Sequence, residues 1–238
     1  MSQPRFLLDD PLAAPGEYDL NRQESHHAAN VMRLRENDVV IVFDGVGHRA
    51  EAVVVRVARD AVRVRVDAIH SEEHPPLSLT IATALPKGKR WQALVEKCTE
   101  LGVDRIIPVL SERSVVKGEG DPEKWRRWAV EAAKQSRRSW IPEICEPMRL
   151  MDMPELAAEE QSLLLIADRD GEPPSGYREE ILQARSVIAM IGPEGGYSED
   201  ELEYCRGKGV RAICLSPFVL RIETAAATMC AIVREMLL

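Results

Sequence analysis

The sequence predicts an α/β protein: a small all-β unit at the N-terminus, then a larger domain built on a parallel sheet. Three observations carry this. Residues 39–69 alternate apolar and polar with period two, the pattern of half-buried strands. Beyond residue 77, short apolar runs alternate with helical patterns, as in a parallel sheet covered on both faces. Between them, Ser71-Glu-Glu-His-Pro-Pro76 is polar and ends in two prolines, which marks a linker. The expected domains are therefore 1–73 and 77–238.

The elements follow in order. A short helix near residues 23–33 precedes the strands. Asp44-Gly45 is a hairpin signal after the run 39–43. Val53, Val55 and Val57 alternate with Val54 and Arg56, and Val62, Val64 and Val66 alternate with Arg63, Arg65 and Asp67. Arg59-Asp60 is expected to turn between them. Residues 77–84 read as a buried strand. Trp91, Leu94, Val95, Cys98 and Leu101 share a helix face that Gly102 ends. A strand follows at 105–110. Asp121-Pro122 is an N-cap followed by proline at the first helical position, and Trp125, Ala129, Ala132 and Ser136 follow on one face. Asp152 and Pro154 start another helix. Runs 163–167, 187–191 and 212–215 are further strands. Ser198-Glu-Asp-Glu201 is a capping box opening the helix between the last two, and 224–237 is the closing helix.

Composition narrows the function. The chain has 238 residues, 45% hydrophobic and 29% charged, enough for a core without disulfide staples. Net charge is −8, but it is uneven. Residues 1–74 hold 9 Lys/Arg and 13 Asp/Glu (−4), residues 75–145 hold 13 and 9 (+4), and residues 146–238 hold 9 and 17 (−8). A protein coating nucleic acid non-specifically is basic throughout; this chain can grip phosphate only through its middle third. No apolar run reaches the ~18 residues of a membrane span, and the N-terminus lacks the apolar core of a signal peptide. The five cysteines are widely spaced with no Cys-x-x-Cys pair, so neither a disulfide framework nor a zinc knuckle is indicated. A cytoplasmic location is expected.

Two motifs are set aside. Gly45-Val-Gly-His-Arg-Ala50 fits a dinucleotide fingerprint, which needs a helix to begin within it. Residues 51–57 alternate with period two instead, so the segment reads as a turn. His26-His27 diverge on a helix and lack enough neighbours for a metal site, so no metal is expected.

Three segments carry chemistry. Leu85-Pro-Lys-Gly-Lys-Arg90 puts a glycine and three cations between a strand end and a helix start, where helix amides also attract phosphate. Arg113 and Lys117 follow the next strand, and Lys134, Arg137 and Arg138 sit on a helix end. In Gly192-Pro-Glu-Gly-Gly196, three glycines and a proline in five residues allow a turn close to a ligand. In Leu215-Ser-Pro-Phe-Val-Leu-Arg-Ile-Glu-Thr-Ala225 a strand again runs through a proline loop into a helix, with Arg221 and Glu223 at its mouth.

Ile-Gly-Pro-Glu-Gly-Gly together with Leu-x-Pro-x-x-Leu-Arg-x-Glu-Thr-Ala resembles the SPOUT methyltransferases, and within them the RsmE family of 16S ribosomal RNA (uracil-N3)-methyltransferases. His27-Ala-Ala-Asn-Val-Met-Arg-Leu-Arg with Phe43-Asp-Gly resembles that family's PUA-like domain. Leu85-Pro-Lys-Gly-Lys-Arg, Lys97-Cys-Thr-Glu-Leu-Gly-Val and Ser111-Glu-Arg-Ser-Val-Val-Lys resemble its catalytic domain. The resemblance implies a deep trefoil knot over about residues 160–238, a homodimer, and S-adenosylmethionine held by the knot loops. The cofactor residues it points to are Ile191, Gly192, Glu194, Gly195 and Gly196 in one loop, and Leu215, Ser216, Val219, Leu220, Arg221 and Thr224 in the other. Arg221 and Arg113 are candidate cations for a uracil anion, and Glu194 or Glu223 a candidate proton acceptor. Arg33, Arg35, Lys87, Lys89, Arg90, Arg113, Lys117, Arg137 and Arg138 are expected to hold RNA, with 16S rRNA or the small ribosomal subunit as partner. Three positions depart from the family pattern: Ser216 stands for glycine, Phe218 for arginine and Ile222 for threonine. These leave two alternatives open, a SPOUT enzyme with another target such as ribose 2′-O, and a non-catalytic RNA-binding ribosome-assembly factor.

Overall fold

A computed structural model describes residues 3–58, 61–114 and 120–238. The chain forms two compact units. The first comprises Met1–His74 and a later segment, Ala133–Ile141; the second comprises Pro75–Ala132 and Pro142–Leu238.

In the first unit, β1 (Arg5–Leu7) and β2 (Gly16–Asp19) come before α1 (Arg22–His26), which passes into a π-helical turn at His27–Val31. Then follow β3 (Val39–Phe43), β4 (His48–Ala58), β5 (Ala61–Val66) and β6 (His70–Ser71). The sheet order is β1-β3-β4-β5-β2, with β6 on β4. Two corrections to the sequence reading arise here. Strands, not a helix, open the unit; β1 and β2 are too short to show a period. The core face of β4 carries Ala50, Ala52 and Val54, with Val57 packed against the same core beyond a bulge, rather than Val53 and Val55. The register shifts between Val54 and Arg56, so alternation read straight through the run puts Val53 and Val55 on the wrong face.

The turn at Asp44 is where expected. Its Oδ1 accepts the amides of Val46 (2.9 Å) and His48 (3.1 Å), and Gly45 and Gly47 have φ of +79° and +101°. Strand β4 starts at His48, so no helix follows these glycines and the dinucleotide reading stays excluded. The Arg59-Asp60 turn lies outside the described residues.

Ala133–Ile141 is stitched to the same hairpin. Gly47 N donates to Ser139 O (3.0 Å), and Ile141 N to Gly45 O (2.9 Å). A side chain at Gly47 would collide with the Trp140 ring, so the backbone must come this close. Lys134 pairs with Glu24, both nearly buried. No local pattern in residues 133–141 reveals that they fold with the N-terminal unit.

The second unit contains β7 (Ser78–Ala84), α2 (Lys89–Glu100), β8 (Arg105–Leu110) and α3 (Pro122–Ser136), whose last turn belongs to the first unit. It continues with β9 (Glu143–Ile144), β10 (Met148–Arg149), α4 (Met153–Glu159), β11 (Leu163–Glu172), α5 (Arg178–Gln183), β12 (Ser186–Ile191), α6 (Glu199–Gly207), β13 (Arg211–Ile213) and α7 (Ile222–Glu235). All strand pairs are parallel, in the order β10-β8-β7-β12-β11-β13 with β9 on β8. The strands are apolar on both faces because both are covered. Ala82, Ile107, Val109, Ile166, Ile188 and Met190 pack in one core beside α4 and α6. Helix α7 lies against α2, β7 and β12. Because the sheet is parallel, every carboxyl strand end opens onto one edge.

Candidate cofactor cleft

The outer part of β11 and the loops leaving β12 and β13 form a cleft of about 570 Å³ on that edge, within the usual range for small-molecule sites. Its wall includes Ile191, Gly192, Glu194, Gly195 and Gly196 from the loop after β12, and Leu215, Ser216, Val219 and Leu220 from the loop after β13. The nearest wall residues of the two motifs, Gly196 and Leu215, are 19 residues apart in sequence, and strand pairing brings the motifs together.

The loop after β12 is built for a close approach. Gly196 N donates to Pro193 O at 2.9 Å, closing a turn that needs the positive φ of Gly196, +67°. A Cβ on Gly192 would stand 3.0 Å from the Tyr197 ring, a tight contact that requires the ring to give way. Gly195 differs. A Cβ there would meet only Arg113 Cδ at an ordinary 3.7 Å, so packing within the protein leaves room for a side chain. Gly195 thus leaves open space on the cleft wall. Tyr197 is buried, and burial pushes its phenol well above the ordinary value, so it stays protonated.

Polar side chains brace this loop. Arg113 Nη1 donates to the carbonyls of Gly195 (2.9 Å) and Tyr197 (3.2 Å). Arg90, in the first turn of α2, pairs with Glu194 at 3.0 Å. Ser198 and Glu201 form the expected capping box, and Glu201 also accepts the amide of Glu112 at 2.8 Å. Thus Arg90 and Arg113, expected to face RNA, reach the glycine loop.

In the loop after β13, Phe218 N donates to Ser216 Oγ (3.1 Å), and Cys214 Sγ lies 3.4 Å from Ser216 O. Arg221 is the N-cap residue of α7 through its backbone. Its guanidinium is exposed and has no hydrogen-bond or ion-pair partner among the described residues, so it does not brace Glu223. Glu223 is only 7% exposed, and its Oε2 lacks a hydrogen-bond partner in the structure. Neither Glu223, Arg221 nor Thr224 lies on the cleft wall, where α7 contributes Ile222 and Ala225 instead. Asp168, Arg169 and Asp170, in the outer part of β11, are wall residues that the sequence reading missed. The signal was a polar run directly after the apolar residues 163–167, although the strand itself continues through it to Glu172.

The remaining basic residues are scattered. Lys87 and Lys89 are exposed beside Gly88 at the start of α2. Arg33, Arg35, Arg137 and Arg138 belong to the first unit, where Arg33 and Arg137 both have positive φ. Lys117 lies outside the described residues.

An RNA methyltransferase domain model matches residues 73–234, and an RNA methyltransferase PUA domain model matches residues 20–67. The chain is 32% identical to a ribosomal RNA small subunit methyltransferase E of Bacillus subtilis, covering 87% of this chain and 86% of that one. The chain belongs to the ribosomal RNA small subunit methyltransferase E family. A member from Synechocystis is also 32% identical, over 87% of this chain and 69% of the relative. The crystal structure of the methyltransferase E of Neisseria gonorrhoeae bound to S-adenosylmethionine superposes with a TM-score of 0.90 at 26% identity, covering 98% of each chain. The methyltransferase E family therefore accounts for both units: a PUA domain, then a SPOUT-type α/β methyltransferase domain. Among the described residues no helix is long and apolar enough to cross a membrane, and no group of three or more His, Cys, Asp or Glu could hold a metal ion.

Proposed function

We propose that the chain transfers a methyl group from S-adenosylmethionine to N3 of a uridine in 16S rRNA, acting in the cytoplasm as a homodimer. The observation that carries the cofactor part is the cleft with its bare Gly195 rim, inside a domain shared with relatives named ribosomal RNA small subunit methyltransferase E. The residues present fit the cofactor. The cleft is the right size, and backbone of Gly192–Gly196 with the wall of Leu215, Ser216 and Leu220 would hold it. Bound there, it supplies a methyl group on a positively charged sulfur.

The protein's work is positioning and charge. Two reactants held in line react as if at very high concentration. Uracil N3 carries a proton at neutral pH, and losing it spreads negative charge onto the two ring oxygens. Arg221 is the cation we assign to that charge: its guanidinium is exposed and unpaired among the described residues, and it follows the wall residues Val219 and Leu220. Arg113 is not so assigned, since its Nη1 already serves two carbonyls. Glu194, on the rim, is the proton acceptor we favour; Glu223 is buried off the wall. Lys87 and Lys89 would hold RNA phosphates, with Arg33, Arg35, Arg137 and Arg138 of the first unit. The sheet order, with β12 between β7 and β11 and α7 returning against β7 and β12, suits the trefoil knot expected over about residues 160–238.

The test is transfer of labelled methyl from S-adenosylmethionine to small ribosomal subunits or 16S rRNA lacking the modification. Label recovered as 3-methyluridine supports the proposal. Label on ribose 2′-O assigns another target, and binding without transfer assigns a scaffold role.

A further inference from the structure

The ring of Phe218 is 77% exposed, yet Phe218 also lines the cofactor cleft. Its neighbour Val219 is 82% exposed. Phe218 N is tied to Ser216 Oγ at 3.1 Å, and Pro217 fixes its own φ, so the backbone here is held. An aromatic side chain therefore stands in solvent at the mouth of a site. Arg221, three residues on, offers a guanidinium with no partner among the described residues.

We infer that Phe218 is a substrate-positioning residue: its ring stacks on the target pyrimidine after the base leaves the RNA stack and enters the cleft. This rests on the RNA methyltransferase function proposed above. The chemistry is general. A base buried in a stack cannot present N3 in line with a donor, so enzymes acting on bases extrude them and hold them against aromatic or apolar side chains. A phenyl ring accepts the flat face of a base without reading its edge, which leaves N3 and both oxygens for polar groups. Phe218 and Arg221 divide the work: the ring takes the face, and the guanidinium takes the charge developing on the edge. The rest of the wall offers no comparable ring, because Tyr197 is buried against Gly192.

The experiment compares Phe218→Ala, Phe218→Leu and Phe218→Trp with wild type in three measurements on the full chain. These are affinity for 16S rRNA with S-adenosylhomocysteine present, affinity for S-adenosylmethionine alone, and oligomeric mass. One aromatic–base stack corresponds to roughly a five- to hundredfold change in affinity. RNA binding should weaken by that factor in the Ala and Leu variants and return in the Trp variant, with cofactor affinity and mass unchanged. Three results would overturn the inference. Leu performing as well as Trp would show that only apolar bulk matters. Cofactor affinity falling in parallel would place the ring on the donor. A change in mass would make Phe218 a contact between copies. Because the RNA measurement needs no turnover, a wild type that binds 16S rRNA without methylating it refutes the enzymatic reading alone.

Discussion

Arg113 and Gly195 meet across 82 residues of sequence: the guanidinium Nη1 lies 2.9 Å from the glycine carbonyl, and 3.2 Å from that of Tyr197. One side chain from the loop after β8 thereby holds the loop after β12 in shape. Backbone that must sit close to a ligand gains affinity when it is ordered beforehand. A hydrogen bond from a charged donor contributes about 1.5–3 kcal/mol, less at this exposed position.

Arg113→Ala should therefore weaken S-adenosylmethionine binding by roughly five- to thirtyfold. Turnover at saturating cofactor should fall much less. Calorimetry and a cofactor titration of the rate check this pair of outcomes. A large fall in turnover with unchanged affinity would instead place Arg113 on the substrate.

Gly195 and Gly196 should separate binding from folding. Gly195 has room for a side chain within the protein, so Gly195→Val should fold with a melting temperature near wild type and still lose the cofactor. Gly196 has φ +67°, so Gly196→Val strains the loop and should lower the melting temperature as well. Thermal melts with and without S-adenosylmethionine distinguish them.

These loops show how far the sequence could be read. The glycine and proline runs after apolar strands marked two of the three walls, because a strand end followed by turn residues is a local pattern. Asp168, Arg169 and Asp170 lie within β11, past its apolar run but before its end, so no strand end followed by turn residues marked them. The pairing of Arg90 with Glu194, 104 residues apart, has no local trace. Nor has the return of Ala133–Ile141 to the first unit, which rests on backbone bonds to Gly45 and Gly47. In β4 the period was visible but the shift at Val54–Arg56 was not, so Val57 fell on the core face as read while Val53 and Val55 did not.

The closing helix depends on one arginine. Arg234 donates to Gly102 O (3.0 Å through Nε), Leu77 O (2.7 Å) and Asp104 Oδ2 (2.7 Å), with both charged side chains largely buried. Removing one partner of a buried pair leaves the other desolvated and unmatched. Arg234→Ala should cost about 2–4 kcal/mol in chemical denaturation. Arg206→Ala, an exposed substitution on α6, should cost less than about 0.5 kcal/mol.

Acid should act on the first unit through Asp44. Burial raises its pKa, but hydrogen bonds from the Val46 amide, the His48 amide and ring, and the Leu12 amide outweigh that and hold it below the ordinary value. A carboxyl whose folded pKa is depressed contributes stability above its unfolded pKa, about 3.9, and loses it as pH falls through the folded value. Wild type should lose stability below about pH 4. Asp44→Asn should be less stable at pH 7 and should flatten that dependence. Melts followed from pH 7 to pH 3 give the comparison.

The unpaired guanidinium of Arg221 is assigned to the charge on ionised uracil. The most direct test is the turnover of Arg221→Ala on small ribosomal subunits across a pH range, with cofactor affinity measured alongside. Loss of such a charge-stabilising donor lowers turnover by roughly two to three orders of magnitude. Turnover should fall by that factor at neutral pH with unchanged S-adenosylmethionine affinity, and should partly recover as pH rises and uracil ionises without help. Weakened cofactor binding with no recovery at high pH would contradict this role of Arg221.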